Sequence, residues 1–311
     1  MLVGYIECIG QKCGKGGIII TKAAIIIPCK NEGEMIRQTL ESILETPSPV
    51  PYEITVVNDG STDGCCRFLQ GRNNTFPEVR LINTTGIGSA NARNIGVRRS
   101  AGEVLVFCDA HITVEPGWLE GLVEGVVGRG AGAVSPAITT MGDGPATGYG
   151  MTWNEDLEAK WLPHPGQIAE TPIAPGGCLA VSREIFQDVG GFEQGFRVYG
   201  YEDAEFSLRL WLFGYRVEVD PGIMIRHHFR KRHPYPITLG QYAYNAIRMA
   251  VSHFNPRRIG RVINLNSDLE NIGQLVAEVV FESDALEQRN AYFKRRNYDD
   301  DWFMERFNIP L

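Results

Sequence analysis

The stretch Val104-Leu105-Val106-Phe107-Cys108-Asp109-Ala110-His111 decides how this chain is read. Its apolar run predicts a strand buried on both faces, and an acid, a small spacer and a histidine follow directly. Open α/β sheets bind ligands beyond the carboxyl ends of their strands, which is where Asp109 and His111 fall. Alternation along an extended chain points both to one side, so an oxygen and an imidazole nitrogen are placed to share one divalent ion. The plainer reading makes Asp109 a turn cap and His111 a surface histidine. The surroundings have to choose between them.

On the N-terminal side, Ala23 to Ile27 is a second buried run, ending in Pro28-Cys29-Lys30-Asn31-Glu32-Gly33. A helix follows, with Met35, Ile36, Leu40, Ile43 and Leu44 on one face. Ile54 to Val57 is the next strand and ends in the polar turn Asn58-Asp59-Gly60-Ser61-Thr62-Asp63. Strand, helix, strand with polar strand ends begins a parallel, doubly wound sheet. After a short strand at Leu81 to Asn83, Gly86 and Gly88 hint at a dinucleotide fingerprint, but Asn91 stands where the third glycine belongs. The better account puts Ser89 at a helix N-cap and Arg93 near the helix start, facing the strand ends, although a solvated Arg93 is the competing reading.

On the C-terminal side, Leu119 to Val127 reads as a helix and Ala133 to Ile138 as a strand. Trp153, Trp161 and His164 would line a groove or pack. Gly176-Gly177 permits close backbone approach to a bound molecule. Tyr201-Glu202-Asp203-Ala204-Glu205 puts three carboxylates at a helix start, where capping alone explains them or where Glu202 or Asp203 faces a cleft as a base. Short strands at Val217 to Val219 and Ile223 to Ile225 lead into Arg226-His227-His228-Phe229-Arg230-Lys231, the composition of a metal ligand beside phosphate-binding cations, or of a solvated basic turn. From Thr238 the chain turns helical, at Thr238 to Phe254, Ser267 to Phe281 and Ser283 to Arg296.

A chain of 311 residues with 43% hydrophobic and 22% charged residues can bury a large core. The formal charge of −7 excludes nucleic-acid binding driven by bulk phosphate attraction. Seven cysteines without paired metal-finger spacing suggest reduced thiols, and no apolar run nears the ~20 residues that span a bilayer. A cytoplasmic protein without stable membrane insertion is the expectation.

These motifs, in this order, resemble the GT-A glycosyltransferases over about residues 23 to 255, especially family 2 and the polypeptide N-acetylgalactosaminyltransferases. Asp109-Ala110-His111 and Gly117-Trp118-Leu119 resemble the latter family's metal motif, and Ala92-Arg93 with Gly96 its nucleotide-contacting helix. Thr171-Pro172 and Gly176-Gly177 look like its donor loop, and His227-His228-Phe229-Arg230 like its His-x-Phe-Arg segment. The resemblance implies an α/β fold of GT-A type, a Rossmann-like, mostly parallel sheet flanked by helices with a C-terminal helical extension. It divides the chain into a β extension at 1–20, a catalytic domain at 21–236 and helices at 237–311, the last a candidate surface for a homo-oligomer.

By the same resemblance Asp109, His111 and His227 would bind Mn²⁺ or Mg²⁺, and Pro28, Asn31, Glu32 and Asp59 would hold the nucleoside of a UDP-sugar. Gly176 and Gly177 would contact the donor, and Arg93, Arg230 and Lys231 would add positive charge. The segment after His227 would close as a lid. One departure matters: the N-acetylgalactosaminyltransferases carry Trp-Gly-Gly-Glu-Asn where this chain has Tyr199-Gly200-Tyr201-Glu202-Asp203. Inverting family 2 enzymes use an Asp at this place as base, so Asp203 points to an inverting transfer onto a hydroxyl, or a thiol, of a peptide, glycan or small molecule. The metal motif points the other way, to a retaining enzyme. A sugar nucleotidyltransferase would need a basic glycine loop after the first strand, which Pro28 to Gly33 is not. A non-catalytic nucleotide-sugar-binding protein is the remaining alternative.

Overall fold

The apolar runs form the middle of one sheet, and their alternation sends neighbouring residues into two cores. In the computed structural model, which describes residues 12–13, 17–18, 22–142, 146–230 and 232–311, strand β1 (Ala23–Cys29) pairs in parallel with β2 (Tyr52–Asp59) and β4 (Val104–Cys108). Ala24, Ile26, Leu105 and Phe107 face one core; Ala23, Ile25, Ile27, Val104 and Val106 face the other. Both sets are essentially inaccessible to water, as a two-sided parallel sheet requires. Each of these larger side chains contributes about 1.5–3 kcal/mol by leaving water.

Outward from β2 comes β3 (Val79–Thr84), and beyond β4 lie β6 (Cys178–Ser182), β5 (Ala133–Thr140), β7 (Val217–His227) and the short strand Ala169–Glu170. The sheet is mixed, because β6 runs against both β4 and β5. This reversal has a use: it sets Cys178 opposite Cys108, so the loop entering β6 arrives beside the loop leaving β4. The two strands expected at 217–219 and 223–225 are one strand, interrupted by a bulge between Asp220 and Met224. The Gly222 amide donates to the Asp220 carboxylate there, so the chain rejoins the ladder after Pro221.

Helices α1 (Met35–Glu45) and α3 (Trp118–Val123) cover one face. Helices α2 (Ser89–Arg98), α4 (Arg183–Asp188), α5 (Glu202–Leu212) and α6 (Leu239–His253) contribute to the other core. Gly96 lets α2 lie on the sheet, since a Cβ there would meet Ile26 at 2.4 Å. Ser89 is not the N-cap expected of it. That place belongs to Gly88, at φ 89°, and the Ser89 hydroxyl donates to Glu202 instead.

The C-terminal helices share the same core: Phe254, Val279 and Phe303 pack in one cluster with Phe206 and Trp211. Two of them escaped the periodicity, α7 (Pro256–Leu265) and α10 (Asp300–Arg306), although Asn255 and Asp299 cap them as short polar side chains do. Helices α8 (Ile272–Phe281) and α9 (Ala285–Arg295) lie between them in the chain. At the other end, Lys12–Cys13 pairs with Gly17–Ile18 as a minimal hairpin, while the β-prone piece at 3–9 lies outside the described residues. No described helix is long and apolar enough to cross a membrane.

Candidate active site

At the carboxyl ends of β1, β2 and β4 lies a cleft of about 370 Å³. Such a volume suits a small-molecule ligand. Asp109 and His111 leave β4 on a turn, and β7 delivers His227 from across the sheet. Asp109 Oδ2 lies 3.2 Å from His227 Nε2 and 4.0 Å from His111 Nε2, and one ligand atom from each side chain falls within 4.8 Å of the others. His228, by contrast, is exposed.

The cluster is braced. His111 Nδ1 pairs with Glu32 Oε2 at 3.0 Å, which leaves Nε2 as the nitrogen turned to Asp109. A carboxylate behind a histidine in this way fixes the tautomer that coordinates a metal. Burial alone would raise the Glu32 pKa, but the hydrogen bonds from His111 and Arg230 outweigh it and hold the carboxyl below its ordinary value. Burial likewise pushes Asp109 up, and His227, Arg93 and His111 together pull it well below the usual carboxylate range. His227 Nδ1 is buried without a hydrogen-bond partner among the described residues. A carboxylate and two imidazoles whose Nε2 atoms both turn toward it fit a divalent ion of the Mn²⁺ or Mg²⁺ kind better than they fit a packing role.

Arg93 is buried and bridges two acids: one guanidinium nitrogen donates to Asp109 at 3.0 Å, another to Glu202 at 3.1 Å. It also reaches the Gly176 carbonyl at 3.2 Å. Its charge is therefore committed to positioning the two carboxylates. Glu202 is similarly engaged, accepting from Ser89, Arg93 and the Gly200 amide. Asp203 is freer: among the described residues it accepts from the Gly176 and Ala204 amides alone, one to each oxygen, and it lines the cleft. Enclosure and the neighbouring Glu202 charge push its pKa up to about 6 against the pull of the Gly176 amide and Arg93.

Gly176 and Gly177 leave little room for a side chain. A Cβ on Gly176 would stand 3.3 Å from Asp203, and one on Gly177 3.1 Å from the His227 ring. Asp59 sits under the Gly86–Gly88 loop, accepting from the Gly86, Ile87 and Gly88 amides and from Thr84 Oγ1. Those glycines thus wrap a carboxylate of the chain itself. Pro28 and Glu32 line the cleft. Asn31 does not: its side chain accepts from the Thr62 amide and donates to the Pro234 carbonyl. Arg230 pairs with Glu32, and Lys231 lies outside the described residues.

The segment after His227 lies across the cleft, with Asn31 on Pro234 and Lys30 Nζ 5.3 Å from the Tyr235 ring. Trp153 packs in the core, while Trp161 is exposed on the cleft beside Phe229. Lys30, Tyr199, Tyr201 and Tyr242 also line the cleft. The first three stand in segments the sequence marked without being assigned a role there, and Tyr242 had no signal beyond its helix.

Fold and site together define an α/β protein with a carboxylate, two imidazoles and a buried guanidinium gathered at its strand ends. Residues 24–190 match the family described as glycosyl transferase family 2, and residues 166–234 match the N-terminal domain of galactosyltransferase. The chain belongs to glycosyl transferase family 2. Polypeptide N-acetylgalactosaminyltransferase 11 of Xenopus tropicalis is 31% identical over 73% of this chain and 42% of its own length. Polypeptide N-acetylgalactosaminyltransferase 8 of Drosophila melanogaster is 29% identical over 68% of the chain and 38% of its own. This chain thus spans about two fifths of these curated relatives. The structure of GalNAc-T7 with UDP, GalNAc and Mn²⁺ superposes with a TM-score of 0.76 at 20% identity, over 93% of this chain and 57% of that one. The fold is that of the GT-A glycosyltransferases.

Proposed function

We propose that the protein transfers a sugar from a UDP-sugar to a hydroxyl, or a thiol, of a peptide, glycan or small molecule, with inversion and with a divalent metal. One observation carries this reading: Asp109, His111 and His227, distant in sequence, converge with Glu32 behind His111. When bound there, Mn²⁺ or Mg²⁺ supplies positive charge to the diphosphate leaving group. Pro28, Glu32 and Asp59 border the nucleoside end of the cleft, and Asp59 Oδ2 accepts one amide hydrogen bond and keeps acceptor capacity for a uracil N–H.

Asp203 is the base. Its carboxylate takes the proton from the acceptor as that oxygen or sulfur bonds the anomeric carbon and the bond to UDP breaks. What favours Asp203 over Glu202 is the bonding: among the described residues Glu202 is tied to Arg93, Ser89 and Gly200, whereas Asp203 holds two backbone amides. Arg93 keeps Asp109 and Glu202 in place. The exposed rings of Trp161, Tyr199 and Tyr242 suit a sugar or peptide acceptor, which stacks on aromatic faces.

The similarity to polypeptide N-acetylgalactosaminyltransferases favours a second reading, transfer of N-acetylgalactosamine with retention. Incubation with UDP-N-acetylgalactosamine and UDP-glucose, with and without EDTA, tests both. Metal-dependent release of UDP is expected, and the anomeric proton coupling of the product separates inversion from retention. Turnover unchanged by EDTA would overturn the metal-dependent reading.

A further inference from the structure

Cys29 stands 36 and 37 positions from the adjacent pair Cys65 and Cys66, so the sequence does not mark the three as a set. The fold gathers them. Their sulfurs form a closed triangle, with Cys29 3.6 Å from Cys65 and 3.5 Å from Cys66, and 3.8 Å between Cys65 and Cys66. All three are buried, at 1%, 7% and 2% exposure. All three are free thiols, as the sequence reading expected, but the fold places them side by side.

The backbone that presents them is held from both sides. Asp63 accepts from the Cys65 amide with one oxygen and from the Gly33 amide with the other, at 2.9 Å each. Ser61 accepts from the Asn31 amide at 3.0 Å. The end of β1 and the turn after β2 are therefore joined around the sulfurs.

We propose that Cys29, Cys65 and Cys66 form a second metal site, for a thiophilic divalent ion such as zinc, with a fourth ligand supplied by solvent. Three thiolates on a tetrahedral zinc, each about 2.3 Å from it, stand about 3.8 Å apart. The sulfur triangle matches that spacing with almost no movement. The site is distinct in chemistry from Asp109, His111 and His227, since three sulfurs select soft ions and a carboxylate with two imidazoles accepts harder ones. Its place is structural: an ion here ties the turn that carries Asp59 to the strand end that carries Pro28 and Glu32.

The test is titration of the reduced, metal-free whole chain with Co²⁺ in the absence of UDP. Thiolate ligands give cobalt a near-ultraviolet charge-transfer band that carboxylate and imidazole ligands do not, so the two sites are read separately. The band is expected to saturate at one equivalent and to vanish on adding Zn²⁺. It should persist in His111→Ala and disappear in Cys29→Ser and Cys66→Ser. If the serine variants do not fold, the unaltered chain still decides. Absence of the band in a chain whose thiols all react as reduced overturns the proposal, and so does a disulfide among the three in the purified protein.

Discussion

His111 Nδ1 lies 3.0 Å from Glu32 Oε2, and this pairing turns the other imidazole nitrogen toward Asp109. Glu32→Gln weakens the hold on the tautomer without removing a ligand. Mn²⁺ affinity, measured by calorimetry, is expected to fall roughly 10–100-fold. The folded state should persist by circular dichroism. An unchanged affinity would remove Glu32 from the metal arrangement.

Arg93→Met leaves Glu202 buried without its cation and takes from Asp109 its charged partner. Breaking buried pairs of this kind costs about 3 kcal/mol or more, which a urea-denaturation midpoint reads directly. Arg93→Lys should not restore it, because one ammonium does not span two carboxylates as a planar guanidinium does.

Asp203 titrates near pH 6, above the ordinary carboxyl value of 3.8. The unfolded chain therefore loses this proton first, and the native state holds it more tightly between those values. Stability falls as pH rises from about 4 through 6, and Asp203→Asn is expected to be the more stable protein at pH 7. Its thermal midpoint checks this. Activity has the opposite slope: as the base, Asp203 must be ionised, so transfer rises through about pH 6, and the Asn variant loses roughly 10²–10⁴-fold. Near-normal transfer by that variant would favour the retaining reading.

Two glycine substitutions should separate folding from the site. Gly96→Ala drives a methyl into Ile26 and is expected to destabilise by about 1–3 kcal/mol with metal affinity intact. Gly177→Ala meets the His227 ring at 3.1 Å instead, and should weaken Mn²⁺ binding with little change in the denaturation midpoint.

The order of elements was legible because buried strands are continuous apolar runs and α1 repeats every three to four residues. That Asp109 and His111 stand together with a histidine from the 226–233 segment was legible too, from a strand end and from composition, while the choice of His227 over His228 came from the resemblance. Helices α7 and α10 were harder, since their signals were single capping residues, Asn255 and Asp299. The mixed direction of the sheet was hidden, because Cys178–Ser182 has the same composition whichever way it runs.

By itself the sequence determined the periodic pattern, the residue types at each strand end and hence the kind of chemistry available, since those are local properties of the chain. Only the tertiary structure decided which of those groups touch. It joined Arg93 to both Asp109 and Glu202, left Asp203 the freer acid, closed a glycine loop on Asp59 and brought Cys29 to Cys65 and Cys66. Each of these depends on strand order and register, which set distances between residues far apart in the chain and leave no mark on the spacing of either partner alone.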